Sequence, residues 1–253
     1  MIRIEKLHKR YGRLVAVDHI DLEVSAGEVF GFLGPNGAGK TTTMKIMVGL
    51  ARPTSGRVLV AGHDVHRQPV AAKALIGYIP DRPFIYEKLT GREFLAFVAG
   101  LYGQEKDAAG EAHRLLELFQ LAERSEELVE TYSHGMRQRL VMAAAMLHRP
   151  RLLVVDEPMV GLDPRGAELV KSLFRSFARE QGGTVFLSTH TLEVAEQVCD
   201  RVAIINHGRL VARGSMAELR RLAGSGEAGG LQEMFLRLTE ERPPAASLPP
   251  EST

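Results

Sequence analysis

Apolar and charged residues alternate from Ile2 to Leu7, and a second strand-like run extends from Leu14 to Val24, where the turn residues Ser25, Ala26 and Gly27 stop it. The pattern then changes. Glu28 to Leu33 is a short apolar strand that runs straight into glycine-rich GPNGAGK. The following TTTMKIMVGL carries Met44, Met47 and Val48 on one helical side. Arg57 to Ala61 and Ile76 to Ile79 read as further short strands. A helical middle follows, over Thr90 to Tyr102, Ala108 to Leu121 and Met136 to Leu147. Strands return at Leu152 to Val155, Thr184 to Ser188 and Val202 to Asn206, separated by helices over Gly166 to Arg179 and Leu192 to Cys199. Strands that alternate with helices imply an α/β chain whose parallel sheet is covered on both faces.

Beyond Ala223 the composition shifts to AGSGEAGG, then LQEMFLRLTEE, then a tail holding four of the twelve prolines. Leu231, Met234, Phe235 and Leu238 fall at the spacing of one helix face, so the expectation is a linker and short amphipathic helix over 223–240 and a disordered tail over 241–253. No internal repeat is evident.

Composition narrows the classes open to the chain. Its 253 residues, 45% apolar and 25% charged, are enough to bury a full core. Thirty-two Lys and Arg against 31 Asp and Glu leave a formal charge of +1, too little for a general grip on nucleic acid. The longest apolar run, Leu140 to Leu147, falls far short of the roughly 20 residues of a membrane span. The first residues lack the apolar block of a secretory signal. A single cysteine, Cys199 beside Val198 and Val202, excludes an intrachain disulfide, fits a reducing compartment and reads as core filler.

The candidate chemistry lies at two strand ends. Gly34 to Thr41, GPNGAGKT, has the spacing GxxxxGK[ST], in which backbone N–H groups converge on phosphate oxygens. Gly34, Gly37 and Gly39 supply turn conformations, and the helix behind them adds its positive end. Pro35, Asn36, Ala38 and Thr42 complete the loop and the helix start. Lys40 supplies a point charge for the outer phosphates, and the Thr41 hydroxyl a ligand for Mg²⁺. LLVVDEP, Leu152 to Pro158, is a buried-type strand that ends in two carboxylates. Asp156 there can hold the metal through water, and Glu157 can polarise the water that attacks a γ-phosphate; standing alone, the segment would equally suit a solvated acidic turn.

Four further segments occur in the order and spacing of one family: Tyr11, YSHGMRQRLVMAAAM (Tyr132 to Met146), GLDP (Gly161 to Pro164) and STH (Ser188 to His190). From Met1 to about Leu222 the chain resembles the ATP-binding subunit of an ABC transporter. Within that family it is most similar to the single-domain ATPases of drug, antibiotic, polysaccharide or sodium exporters. The resemblance implies a P-loop NTPase core with a mostly parallel sheet, an N-terminal antiparallel β subdomain, and a helical subdomain inserted at roughly 84–150, together forming one domain over 1–222. It implies ATP and Mg²⁺ as ligands, Tyr11 stacked on adenine, and Ser133 and Gly135 closing over ATP held by a second subunit. Asp163 would bridge the subunits, although before Pro164 it also suits a helix cap. His190 would contact the γ-phosphate and Glu157, making Glu157, His190 and Lys40 the catalytic set.

Asp81 stands in IGYIPD where most of the family has a glutamine that contacts Mg²⁺, so the resemblance implies a metal-sensing residue there, with a solvent-facing turn residue as the alternative. His134 and Met136 depart from the family's usual Gly and Gln. The other eight histidines show no metal-site spacing and read as surface or core. The resemblance also implies partners: a second ATP-binding subunit, with a homodimer expected, and separate transmembrane permease subunits docked near Phe84 to Tyr102. These would hold the chain on the cytoplasmic face of the membrane, with no nucleic acid expected. The competing expectation is a soluble ATPase of the same family acting on DNA or ribosomes.

Overall fold

The computed structural model describes residues 1–82, 84–103 and 108–222, together with Glu233, Phe235, Leu236, Leu238 and Thr239. The chain opens with β1 (Ile2–Tyr11), β2 (Leu14–Val24) and β3 (Val29–Leu33). Next come α1 (Lys40–Met47), β4 (Ser55–Val60), β5 (His63–Asp64), α2 (Pro69–Lys73) and β6 (Ile76–Ile79). The helical middle comprises α3 (Gly91–Leu101), α4 (Ala108–Leu118) and α5 (His134–Met146). The last part alternates β7 (Leu152–Asp156), α6 (Pro164–Arg179), β8 (Thr184–Thr189), α7 (Leu192–Val198) and β9 (Arg201–Asn206), then closes with β10 (Arg209–Ser215) and α8 (Met216–Leu222).

Two sheets result. One is antiparallel, in the order β2-β1-β4-β5; the other runs β10-β9-β3-β8-β7-β6, parallel except for β10. The expected α/β architecture is therefore present, with the antiparallel sheet at the N-terminus and the helices α3, α4 and α5 inserted between β6 and β7. The parallel strands look continuously apolar because each of their faces meets a different core. Val29, Leu33, Leu153, Val155, Val185 and Leu187 pack toward the helices α3 to α7. Phe30, Phe32, Leu152, Val154 and Phe186 pack toward α1 and the antiparallel sheet. Phe186 stacks on Phe30 at 5.7 Å between ring centroids and tilts against Phe32 at 5.3 Å.

Caps set where several helices begin. Thr90 and Glu93 form a reciprocal box at α3, with the Glu93 N–H donating to Thr90 Oγ1 at 3.2 Å and the Thr90 N–H to Glu93 Oε2 at 2.8 Å. Ser133 caps α5 by accepting from the Met136 N–H at 3.3 Å, so that helix starts two residues before the periodic pattern suggests. Cys199 is buried, and burial pushes its thiol pKa up, in keeping with a packing role. Phe235 and Leu238 pack against the helix-side core; Leu231, Met234 and the tail over 241–253 lie outside the described residues. No helix among the described residues is long and apolar enough to cross a membrane.

Candidate active site

The functional side chains gather at the carboxyl ends of β3, β7 and β8, the end at which parallel sheets receive ligands. β3 leads through Gly34 into a turn that only glycine can make at two points. A Cβ on Gly34 would lie 2.2 Å from the Ile205 carbonyl oxygen, and Gly39 has φ 109 with the Ala16 carbonyl 2.4 Å from where a Cβ would stand. Lys40, the first residue of α1, is buried and curls back over the loop. Its Nζ donates to the carbonyls of Gly34 at 2.7 Å and Pro35 at 3.2 Å, and lies 3.7 Å from Glu157 Oε1. Burial lowers the Lys40 pKa, and the nearby Glu157 and Asp156 carboxylates oppose that shift. A cation stripped of water in this way gains from any further anion brought to the loop.

Neighbouring strands hold the carboxylates. Thr41 Oγ1 donates to Asp156 Oδ2 at 3.0 Å, which joins the phosphate loop to the end of β7. Asp156 is buried, and the ladder pairs it directly with Ser188 of β8. The Ser188 hydroxyl donates to Asp156 Oδ1 and accepts from the Glu157 N–H at 3.1 Å. Glu157 has φ 51, a left-handed conformation that a glutamate adopts only where its surroundings impose it. His190 Nδ1 lies 3.0 Å from Glu157 Oε1. One carboxylate oxygen is thus approached by an imidazole and an ammonium.

A cleft of about 370 Å³ lies over this arrangement. Tyr11, Pro35, Asn36, Gly37, Gly39, Lys40, Thr41, Thr42, Asp81, Asp156 and Glu157 line it. Tyr11 is half exposed, with Lys9 Nζ 4.5 Å from its ring centroid. Asp81 is exposed, and its charge adds to burial and Asp156 in pushing the Tyr78 hydroxyl up to about 12. The oxygen-rich set of Thr41, Asp156 and Asp81 suits a hard cation such as Mg²⁺. Leu14, Val15 and Ala16 of β2 also line the cleft and escaped the sequence reading, because their contribution depends on how the antiparallel sheet lies against the loop. Ser188 is visible in the sequence as part of STH, and its hydroxyl at an otherwise apolar strand end is the signal that marks it.

Ser133, Gly135 and Asp163 are not among the cleft's lining residues. The start of α5 and the GLDP turn lie together instead. A Cβ on Gly161, φ 78, would meet the His134 ring at 2.2 Å, and one on Gly135 would be 3.6 Å from Leu162. Asp163 caps α6, accepting from the Gly166 N–H at 2.8 Å, with Pro164 in the first turn. The capping alternative raised for this residue is therefore realised.

A glycine loop at a helix N-terminus, a buried lysine and two carboxylates at an adjacent strand end define a P-loop nucleotide site. Residues 17–160 match the family model described as ABC transporter. The chain is 42% identical over 224 residues to the daunorubicin resistance ATP-binding protein DrrA3 of Streptomyces coeruleorubidus, covering 88% of this chain and 71% of that one. It is 41% identical over 211 residues to the bacitracin transport ATP-binding protein BcrA of Bacillus licheniformis, covering 83% and 68%. A solved ATP-binding subunit of an ABC transporter superposes with a TM-score of 0.85 at 31% identity, over 94% of this chain and 99% of that one. The chain belongs to the ABC transporter family, as an ATP-binding subunit, and its activity is ATP hydrolysis coupled to transport.

Proposed function

We propose that this subunit powers export, binding MgATP in the cleft between Tyr11, the phosphate loop and the β7 end, and hydrolysing it in a dimer that drives separate membrane-spanning subunits. The observation that carries the reading is the Glu157 carboxylate, fixed by Ser188 through its backbone and approached by His190 and Lys40 at the mouth of the loop. Glu157 Oε1 receives the proton of the attacking water, and His190 Nδ1 holds that oxygen in place. Lys40 turns its charge from the loop carbonyls toward the outer phosphates. Thr41, hydrogen-bonded to Asp156, with Asp81 in the same cleft, would hold Mg²⁺, which when bound would neutralise charge on the phosphate oxygens.

Ser133, Gly135 and Asp163 stand apart from this cleft, which supports a site completed by a second subunit, two ATP molecules lying between two copies of the chain. Tyr11 supplies the aromatic face for adenine. Exposed Phe97 and Leu101 on α3, with Tyr86 packed edge-on against Phe97 and Phe84 exposed in the segment before it, offer apolar side chains that suit a membrane partner, and such a partner would keep the chain at the membrane's cytoplasmic face. The relatives' names, daunorubicin resistance and bacitracin transport, favour an exported antibiotic-like solute over action on DNA or ribosomes.

Glu157→Gln tests the reading. The variant keeps ATP affinity, loses most turnover, and elutes at twice the monomer mass on size exclusion with ATP and Mg²⁺. Turnover near wild type would remove Glu157 as the base.

A further inference from the structure

Away from the phosphate loop, two histidines that sequence spacing left as surface or core residues come together. Leu7 of β1 pairs with Ile20 of β2 and Lys9 pairs with Val17, so the single residue His8 faces two, Asp18 and His19. Consecutive strand residues ordinarily point to opposite faces of a sheet. This bulge, with His19 at φ 49, brings both onto the side of His8. His19 Nδ1 lies 2.8 Å and His8 Nδ1 3.6 Å from the same oxygen, Asp18 Oδ1. One ligand atom from each of the three residues falls within 4.8 Å of the others. The imidazole rings stack at 4.5 Å between centroids, and His8 Nδ1 is buried with no hydrogen-bond partner. Arg209 Nε donates to Asp18 Oδ2 at 2.7 Å and Nη2 lies 2.7 Å from the same oxygen, which fixes the carboxylate with Oδ1 turned to the histidines. A left-handed non-glycine residue in a bulge and an unsatisfied buried nitrogen both cost stability, and neither serves the ATP site.

We infer that His8, Asp18 and His19 form a binding site for a divalent transition-metal ion of the Zn²⁺ type. Two imidazoles and one carboxylate suit borderline ions of this kind and not Mg²⁺ or Ca²⁺, which take oxygen ligands. Ligand atoms about 2.0–2.2 Å from a tetrahedral ion stand roughly 3.4 Å from one another; His8 Nδ1 is already 3.6 Å from Asp18 Oδ1, and the ion takes the place of the 2.8 Å His19–Asp18 hydrogen bond as the exposed His19 ring turns out of the stack. Entry is open, because His19 is exposed and a cleft of about 620 Å³ borders Asp18, His19 and Arg209. Water completes the coordination. The Arg209 guanidinium opposes a second cation, but it is engaged on the far oxygen and faces solvent, which screens it.

The test uses the full chain without nucleotide, titrated calorimetrically with Zn²⁺ alone in a non-chelating buffer containing excess Mg²⁺ to suppress all-oxygen sites. Co²⁺ serves as a spectroscopic substitute. Wild type is expected to show one saturable site at micromolar Zn²⁺, and Co²⁺ bands of nitrogen–oxygen ligation. His19→Ala and His8→Ala are each expected to weaken the site about tenfold or more and to remove those bands. Zn²⁺ should raise the thermal midpoint of wild type and not that of His19→Ala. Because His19 is exposed, its variant carries the test even if His8→Ala folds poorly. Wild-type Zn²⁺ affinity in folded His19→Ala, or no saturable site in wild type, would overturn the assignment.

Discussion

Replacing Ser188 by alanine removes one fully buried hydroxyl and disturbs both carboxylates at once. The hydroxyl donates to the Asp156 carboxylate, a charge-assisted bond of about 1.5–3 kcal/mol, and accepts from the Glu157 N–H, whose desolvation otherwise costs about 1–3 kcal/mol. The two losses overlap, since entering water can recover part of each, so the expected destabilisation is roughly 2–4 kcal/mol. For a domain of this size that lowers the thermal midpoint by about 4–16 °C. The kinetic effect has a separate cause. Glu157 is held at φ 51 by that bond, and a carboxylate free to leave this conformation misplaces the base by a fraction of an ångström or more, which costs turnover up to about 100-fold. The assay pairs urea denaturation with steady-state ATPase kinetics. Turnover should fall while the ATP concentration at half-maximal rate changes little, because Lys40 and the loop remain in place. Unfolding free energy within 0.5 kcal/mol of wild type, together with unchanged turnover, would refute the role given to Ser188.

Lys40→Ala should weaken ATP binding by about 10- to 100-fold, the worth of a charge-assisted phosphate contact, as measured by fluorescent-nucleotide titration; equal affinities would remove the phosphate-loop assignment. Asp81→Ala should raise the Mg²⁺ concentration for half-maximal turnover more than it changes ATP affinity, whereas an unchanged midpoint leaves Asp81 as a turn residue beside Pro80. Truncation after Leu222 removes the Phe235 and Leu238 packing and the Leu238 and Thr239 carbonyls that accept from Asn206 Nδ2 at 3.0 and 3.1 Å. The thermal midpoint should fall while ATP binding stays measurable, and loss of nucleotide binding by a folded truncation would place this segment inside the engine.

What the sequence made legible was whatever local pattern encodes. β3, β7 and β8 stand out because burial on both faces leaves no polar period to confuse them, and Asp156 and Glu157 stand out because charge ends an apolar run abruptly. The strand β10 escaped because it is a sheet edge: Arg209, Val211 and Arg213 are exposed and Leu210 and Ala212 only half-buried, so its composition resembles a loop. β1 runs four residues beyond its legible part, since His8, Lys9 and Arg10 are polar and no buried apolar residue follows Leu7 to continue the alternation. Contacts set by register were invisible for a deeper reason. That Ser188 faces Asp156 depends on how β7 and β8 slide past each other. That His8 meets Asp18 and His19 depends on one extra residue in β2.

The anion cradle itself follows from where the loop's carbonyls go. In a trans peptide the C=O of one residue and the N–H of the next point in opposite directions, and the chain has no cis bond among its described residues. The carbonyls of Gly34 and Pro35 turn toward Lys40 Nζ, and that of Ala38 accepts from the Gly208 N–H at 2.9 Å. The Gly39 N–H must therefore point away from Gly208, and the Asn36 N–H away from Lys40. Gly208 in turn accepts from the Asp18 N–H at 2.8 Å, and two residues earlier Asn206 reaches the carbonyls of Leu238 and Thr239. The short turn between β9 and β10 thus fixes three things together: the direction of a phosphate-loop peptide, the bulge of β2 at Asp18 and His19, and the segment that follows the ATPase core. A shift in either of the outer two is felt at Gly208, whose φ of 77 leaves little freedom for another residue, and a shift in β2 also reaches the loop directly, because the Ala16 carbonyl sits against Gly39.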